Sequence, residues 1–305
     1  MTDRTRSTIL VGVDGSSDAS IAAAWATGIG HRTKASVKAV AAWSLSPSIH
    51  ADGVDVPAAA MNAQMASVAT ESLHDDGVDG IEVTAIEGPT AKVLLEAADE
   101  VDATMLVVGT RGRGPLSGLL LGSTSRRLLF ATHRPLVVVP RQSTLDPPEL
   151  ARVVVGADCS AVGERVLSWA AKFCADLGVP ATVARCVSPG CERPPGHVKQ
   201  IDDRARDDIE EEMKPFRDLG VRYSIVIAHC DPRVALVETA KSDQVGLIVI
   251  GTRGEGQFRG LGAPPPTSLA THRSRSLPFH DLRSRLLRGS LKKGRYDNQR
   301  ESART

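Results

Sequence analysis

The chain has 305 residues, 42% hydrophobic and 24% charged, which suits a globular protein of two ordinary domains and excludes a single small module. Its 37 Lys and Arg against 36 Asp and Glu give +1 overall, yet residues 262–305 hold ten basic and three acidic residues, a net +7, leaving −6 on the first 261. The near-neutral total speaks against a strongly basic nucleic-acid face, and only ten Trp, Tyr and Phe are too few for base-stacking platforms.

The opening residues MTDRTRST hold no apolar core of the length a signal peptide needs, and no later run approaches the roughly 18 apolar residues of a membrane span. The expected location is cytoplasmic, with no membrane partner. Five cysteines at irregular spacing do not form a secreted disulfide framework, so reduced thiols are expected. In chain order, the pattern predicts a strand over 8–13, a helix over 18–31 capped by Ser16 or Ser17, and a strand over 36–42. There follow a helix over 57–74, a strand over 82–86, a helix over 90–100, a strand over 105–108, a helix over 123–131 and a strand over 136–139. Residues 140–150, PRQSTLDPPEL, read as a linker. Beyond it, strands are predicted near 152–157, 181–187, 222–227 and 246–250. Val162, Val166, Trp169, Phe173 and Leu177 fall on one helix face and should be core, while Pro215 should end or kink the charged helix running through 209–213. Alternating β and α segments call for a mostly parallel sheet with helices on both faces, a doubly wound α/β fold.

The chain also repeats itself. ILVGVDGS at 9–16 matches VVVGADCS at 153–160 with an offset of 144, which also pairs Trp25 with Trp169. LVVGTRGRG at 106–114 matches IVIGTRGEG at 248–256 with an offset of 142. Two copies in the same order mean a tandem duplication, with a first domain at 1–140, a linker at 141–150, a second domain at 151–261 and an Arg-rich tail at 262–305, expected to be disordered.

In open parallel sheets, ligands sit beyond the carboxyl ends of the strands where strand order reverses. Asp14 follows the first strand, and GTRGRGPLSGLLLGS at 109–123 follows the fourth, with glycines at Gly109, Gly112 and Gly122 and then Ser123. Such a loop can wrap its amides around phosphate oxygens, and Gly122-Ser123 opens a helix whose N-terminal amides favour an anion. Neither the P-loop pattern nor the dinucleotide fingerprint fits, because no lysine precedes Ser123 and the glycines follow the fourth strand. The bland alternatives are a tight turn for the glycines, a helix-start acid for Asp14 and solvated charges for Arg111 and Arg113. DGSSDAS is similar to the SGGxDS loop of ATP pyrophosphatases but lacks the paired glycines, and Cys186, Cys191 and His197 make a poor zinc set without a fourth ligand.

The VGVDGS strand end, the Gly-x2-Gly-x9-Gly-Ser loop and the closing strand PLVVVP make residues 7–140 resemble a universal stress protein domain of the ATP-binding kind. The resemblance continues more loosely over 151–261, as in tandem actinobacterial members. It implies a Rossmann-like, adenine-nucleotide-binding fold in which Asp14 contacts the ribose side and Ala42 lies against adenine. Gly109, Thr110, Gly112, Gly114, Gly122 and Ser123 would hold the phosphates, with Gly12, Arg111 and Arg113 nearby. The implied ligand is ATP, with Mg2+ as its companion ion or AMP in its place. The implied role is nucleotide-dependent stress or signalling regulation without turnover. The alternatives are an interaction scaffold that binds no nucleotide and a weak ATPase.

The second repeat keeps Gly156, Asp158, Val187, Gly251 and Gly254 as a partial site, but position 264, where Gly-Ser belongs, is Pro264-Pro265. Proline carries no N–H and disfavours helix in the residue before it, so the anion-binding helix start is lost. No counterpart to LVVV at 136–139 follows, and the expectation is a second domain without its final helix and strand. In the family the last strand pairs domains, so the 136–139 strand is expected to be a bare edge that drives homodimerisation or poor solubility. The abrupt loss of the repeat with the charge switch suggests a change of reading frame near Gly262; an Arg-rich tail selected for nucleic acid or anionic membrane is the alternative. Translation of the gene beyond codon 262 in the other two frames is expected to yield a Gly-Ser pair and a Val-rich strand. Two frames without them would sink the frame-change account.

Overall fold

The run LVVV at 136–139 has no polar position to turn towards water, which suits a strand covered on both faces. In the computed structural model, which describes residues 7–44, 57–110, 112, 121–141, 143, 150–187, 195–242, 245–251 and 268–272, all four are buried as β5 (Leu136–Val139). The first repeat runs β1 (Thr8–Val13), α1 (Ser17–Thr33), β2 (Ser36–Trp43), α2 (Ala58–Asp75), β3 (Glu82–Glu87), α3 (Thr90–Glu100), β4 (Met105–Gly109), α4 (Ser123–Ala131) and β5. The second runs β6 (Val153–Ala157), α5 (Ala161–Leu177), β7 (Ala181–Cys186), α6 (Pro195–Glu212), α7 (Lys214–Asp218), β8 (Tyr223–Ala228), α8 (Pro232–Ser242) and β9 (Leu247–Gly251). Pro215 does interrupt the charged helix: α6 stops at Glu212 and Pro215 sits in the first turn of α7, where its missing N–H costs no helical bond.

Local chemistry fixes the element ends in both repeats. Ser16 and Ser160 take extended backbone and accept from the amides of Ala19 at 3.3 Å and Gly163 at 3.1 Å, caps worth about 1 kcal/mol each. At the other end α5 stops at Gly178, whose φ of 68° costs glycine little.

The strands of the first repeat lie in the order β3-β2-β1-β4-β5, all parallel, and those of the second in the matching order β8-β7-β6-β9. Strand order therefore reverses between β1 and β4 and again between β6 and β9, opening a crevice at the carboxyl ends of each pair. One sheet face packs Trp25 and Ile29 of α1 and Val166, Phe173 and Leu177 of α5 into a single apolar cluster that runs through both repeats. Val162 and Trp169 pack against that cluster partly buried, so the predicted helix face is core. Across the joint the Arg32 guanidinium donates to the Leu177 carbonyl at 3.1 Å. The opposite face of the first repeat is covered by Val93, Leu94 and Leu128 from α3 and α4.

The seam between the sheets corrects two expectations. Residues Ser268–His272 form β10, antiparallel to β9 with Leu269 opposite Ile250, and parallel to β5 with Leu269 opposite Leu136. The tail thus supplies a last strand for the second repeat, in the direction opposite to β5 beside β4. A parallel return needs a crossover, usually helical, which three consecutive prolines at 264–266 oppose; an antiparallel return needs none. The β5 edge is consequently covered rather than bare, which removes the stated reason for homodimerisation through the first repeat.

Ending the chain at Gly262 should uncover β5 and β9 together. Light scattering over a concentration series is expected to show self-association of the shortened chain and a monomeric full chain. A shortened chain that stays monomeric with an unchanged thermal midpoint would show that β10 contributes nothing to the seam.

Candidate site at the strand crossover

The chain leaves β1 through Asp14 and Gly15, and Gly15 takes a φ of 72°, a left-handed turn that glycine adopts at little cost. That turn swings Ser16 back beneath Asp14, whose Oδ1 accepts from the Ser16 amide at 3.1 Å and the Ser16 hydroxyl at 2.6 Å. Asp14 is thereby fixed, partly buried, at the mouth of the β1/β4 crevice. Its other oxygen faces the loop that follows β4: a Cβ placed on Gly112 would lie 2.3 Å from Asp14 Oδ2. A Cβ on Gly109 would lie 2.8 Å from the Asp18 carbonyl oxygen in the first turn of α1. Backbone without side chains is what allows the loop to lie against these groups. Gly12 has a different reason: a Cβ there would strike Leu94 at 2.8 Å on the covered face, so it is a packing glycine beneath the site.

Thr110 closes the loop at its base. Its amide donates to the Val139 carbonyl at 3.1 Å and its carbonyl accepts from the Gly122 amide at 2.7 Å, tying β5 and the start of α4 to one residue. Ser125 Oγ donates to the Gly109 carbonyl at 2.9 Å, a second tie across the same gap. Gly122, the N-cap of α4, has no side chain with which to cap it, while Ser123, the first residue of the helix, is exposed. First-turn amides that the N-cap residue leaves uncapped, with the positive end of the helix dipole, favour an anion. Ala42 stands at the end of β2, opposite Ile86 and packed on the α3 side of the sheet. Gly12, Asp14, Ala42, Gly109, Thr110, Gly112, Gly122 and Ser123 therefore gather at the carboxyl ends of β1, β2 and β4; Arg111, Arg113 and Gly114 lie outside the described residues.

Two residues join the site without having been foreseen. Asp18 is only 3% exposed, accepts from the Thr110 hydroxyl at 3.0 Å on Oδ2 and pairs with Arg141 Nε at 3.4 Å on Oδ1. In the sequence, Asp18 reads as an ordinary first-turn acid and Arg141 as a linker charge; only the packing of β4 against α1 shows otherwise.

The second repeat copies the turn and changes what surrounds it. Asp158 Oδ1 accepts from the Ser160 amide at 3.2 Å and hydroxyl at 2.6 Å, but Cys159 holds the left-handed position with a φ of 54°. Gly251 now faces an apolar neighbour, a Cβ there meeting Val162 Cγ1 at 2.8 Å, because Val162 stands where the first repeat has Asp18. Gly156 packs beneath the site near Leu236 and Ile250. Val187 lies one residue past β7 and donates its amide to the Ala228 carbonyl; strand register pairs Ala157 with Arg185 as Val13 with Ala41, so Cys186 and not Val187 occupies the Ala42 position. Gly254 lies outside the described residues. The Cys159 thiol donates to the Glu212 carboxylate, and burial first, then that bond, pushes the thiol up to about 12. Burial likewise raises the Glu212 carboxyl.

Among the described residues no group of three or more His, Cys, Asp and Glu could hold a metal ion, and no helix is long and apolar enough to cross a membrane. Cys191 and the His197 side chain, of the weak zinc set, fall outside those residues.

A sequence model described as the Universal stress protein family matches residues 5–140 and again 149–263. The universal stress protein Rv1996 of Mycobacterium tuberculosis is 30% identical over 169 residues, 52% of each chain, so the chain spans about half the length of this curated relative. The universal stress protein Rv2623 of the same species is 28% identical over 273 residues, 83% of this chain and 89% of that one. Among solved structures, a universal stress protein from Archaeoglobus fulgidus DSM 4304 covers 87% of this chain and 98% of its own, with a TM-score of 0.57 and 16% identity, a likeness of fold.

Burial pushes the Cys174 thiol up to about 12 and, with Cys230 and Asp231 nearby, Cys186 up to about 11. With Cys159 these should stay protonated at pH 8 and react slowly with Ellman's reagent in the native chain, then quickly in guanidinium. Native labelling of any of the three at its unfolded rate would contradict the burial described.

Proposed function

We propose, because the chain belongs to the universal stress protein family, that its first domain, residues 1–140, binds ATP and that the protein acts as a nucleotide-dependent stress or signalling regulator. The observation that carries this reading is the bare approach of Gly112 to Asp14, where a Cβ would lie 2.3 Å from Oδ2 and force a shift, beside an α4 start whose N-cap, Gly122, has no side chain. The phosphates would lie in the loop from Gly109 to Ser123, with Arg111, Arg113 and Gly114 contributing from its span. Asp14 would face the ribose and Ala42 the adenine. The absence of a protein cage among the described residues fits Mg2+ arriving with the phosphates, since that ion keeps most of its ligands from water and phosphate. AMP would use the same adenine and ribose contacts.

Turnover is not part of this reading. Hydrolysis needs a base or a water-positioning group beside the terminal phosphate; at the loop base stand the Thr110, Ser123 and Ser125 hydroxyls, and the Asp18 carboxylate there is engaged by Thr110 and Arg141. The Asp14 carboxylate already holds the Ser16 amide and hydroxyl through Oδ1. For the second domain, residues 151–261, a structural reading is preferred: Asp158 repeats those two bonds where the Gly-Ser helix start is missing, so the turn serves the fold without nucleotide. Homodimerisation through β5 is not proposed for the full chain, given β10 on that edge. The proposed setting is the cytoplasm.

Mass spectrometry of gently purified protein is expected to find carried-over adenine nucleotide, absent from Gly122→Val, which crowds the first turn of α4. A wild-type chain free of nucleotide, and unable to take up ATP on addition, would favour the scaffold. Phosphate release that depends on Asp14 would revive the ATPase.

A further inference from the structure

We infer that Asp18 is a positioning residue of the glycine loop, and that its pair with Arg141 transmits the state of the loop to the linker between the two domains. The inference rests on the nucleotide reading for the identity of the signal, though not for the contacts. Asp18 is 3% exposed, and a carboxylate so deep is costly unless both its oxygens are engaged. Oδ2 takes the Thr110 hydroxyl at 3.0 Å and Oδ1 faces Arg141 Nε at 3.4 Å. One buried side chain therefore holds the loop base and the first residue beyond Pro140.

Each end of this link continues further. Thr110 is the residue to which Val139 and Gly122 are both tied, so a change in its side-chain position reaches both rims of the loop. Gly109 lies close against the Asp18 backbone, where an added Cβ would fall 2.8 Å from the Asp18 carbonyl oxygen. In the other direction, Arg141 opens the linker, where the Ser143 amide turns back onto the Pro140 carbonyl at 2.9 Å. The linker's last residue, Leu150, is buried in the second domain, where a Cβ on Gly246 would touch its Cδ2 at 2.6 Å. Both linker ends are thus anchored, one of them through the Asp18 carboxylate.

The second repeat supplies an internal control. There Val162 replaces Asp18, Gly251 packs on its methyl group, and the Gly-Ser helix start is gone. The polar link is present in the repeat that keeps the whole loop signature and absent from the one that has lost it.

Arg141 is 62% exposed on its side chain, and ion pairs at that exposure add little stability, so Arg141→Ala should fold as the parent does. The test is hydrogen exchange by mass spectrometry on the full chain, with and without ATP, together with ATP titration. In the parent, ATP is expected to slow exchange both in the loop and in the peptide covering 140–150. In Arg141→Ala the loop response should persist while the linker response is lost. Asp18→Val should weaken ATP binding about tenfold, the loss of a hydrogen bond to a charged group, and speed exchange of the Thr110 and Gly122 amides even without ATP. Should Asp18→Val not fold, Thr110→Val removes the same bond from the loop side. Asp18→Asn, which keeps an acceptor for Thr110, should restore affinity but not the linker response. Equal linker responses in the parent and Arg141→Ala would overturn the coupling, and parent-like ligand-free exchange in Asp18→Val or Thr110→Val would overturn the positioning. If the parent binds no ATP, the nucleotide reading fails, and the ligand-free exchange alone decides the role of Asp18.

Discussion

The fold turns on how closely the loop after β4 can lie against the end of β1 and the start of α1. A Cβ at 112 would fall inside the Asp14 carboxylate, and one at 109 would press on the Asp18 backbone. Parallel pairing of β1 with β4 puts these segments side by side, and glycine lets them meet. Thr110 can then tie β5 and the start of α4 together at the base of the loop that meets Asp14. A side chain at 109 would press on backbone, and one at 112 would require the Asp14 carboxylate or the loop to shift.

Some contacts of the site are kept in both repeats, and others only the first has. The Asp-x-Ser turn recurs with nearly the same bond lengths at Asp14 and Asp158, so it serves helix initiation in both. The polar contact beneath the loop does not recur: Asp18 becomes Val162, and the left-handed Gly15 becomes Cys159, whose thiol leans on the partly buried Glu212. The second repeat has kept its strand order and core while losing the groups that would receive an anion. In place of a last strand parallel to β9 it takes a tail segment running the other way, a direction that needs no crossover.

Most of the architecture was legible because its signals are local. Short Val-rich runs, serine caps, the prolines of the linker and Pro215 each specify their own neighbourhood, and the 144-residue offset extended the reading to the second repeat. The glycine spacing marked the loop, but not that Gly12 packs against Leu94 on the covered face while Gly112 meets Asp14. Asp18 was passed over because burial of a first-turn acid depends on β4, some 90 residues away. β10 was missed for a related reason: SLATH has no strong strand pattern, and its pairing is created by the two edges it meets. Val187 ends the predicted strand over 181–187, but register, which depends on the neighbouring strand, puts Cys186 at the Ala42 position.

The central claim is that one repeat keeps a complete nucleotide cradle and the other does not. Calorimetric titration of the full chain with ATP, after removal of any carried-over nucleotide, measures this as a stoichiometry. The account predicts one site per chain, abolished by Gly112→Val and untouched by Asp158→Ala. Two sites per chain, or one site that survives Gly112→Val, would contradict it.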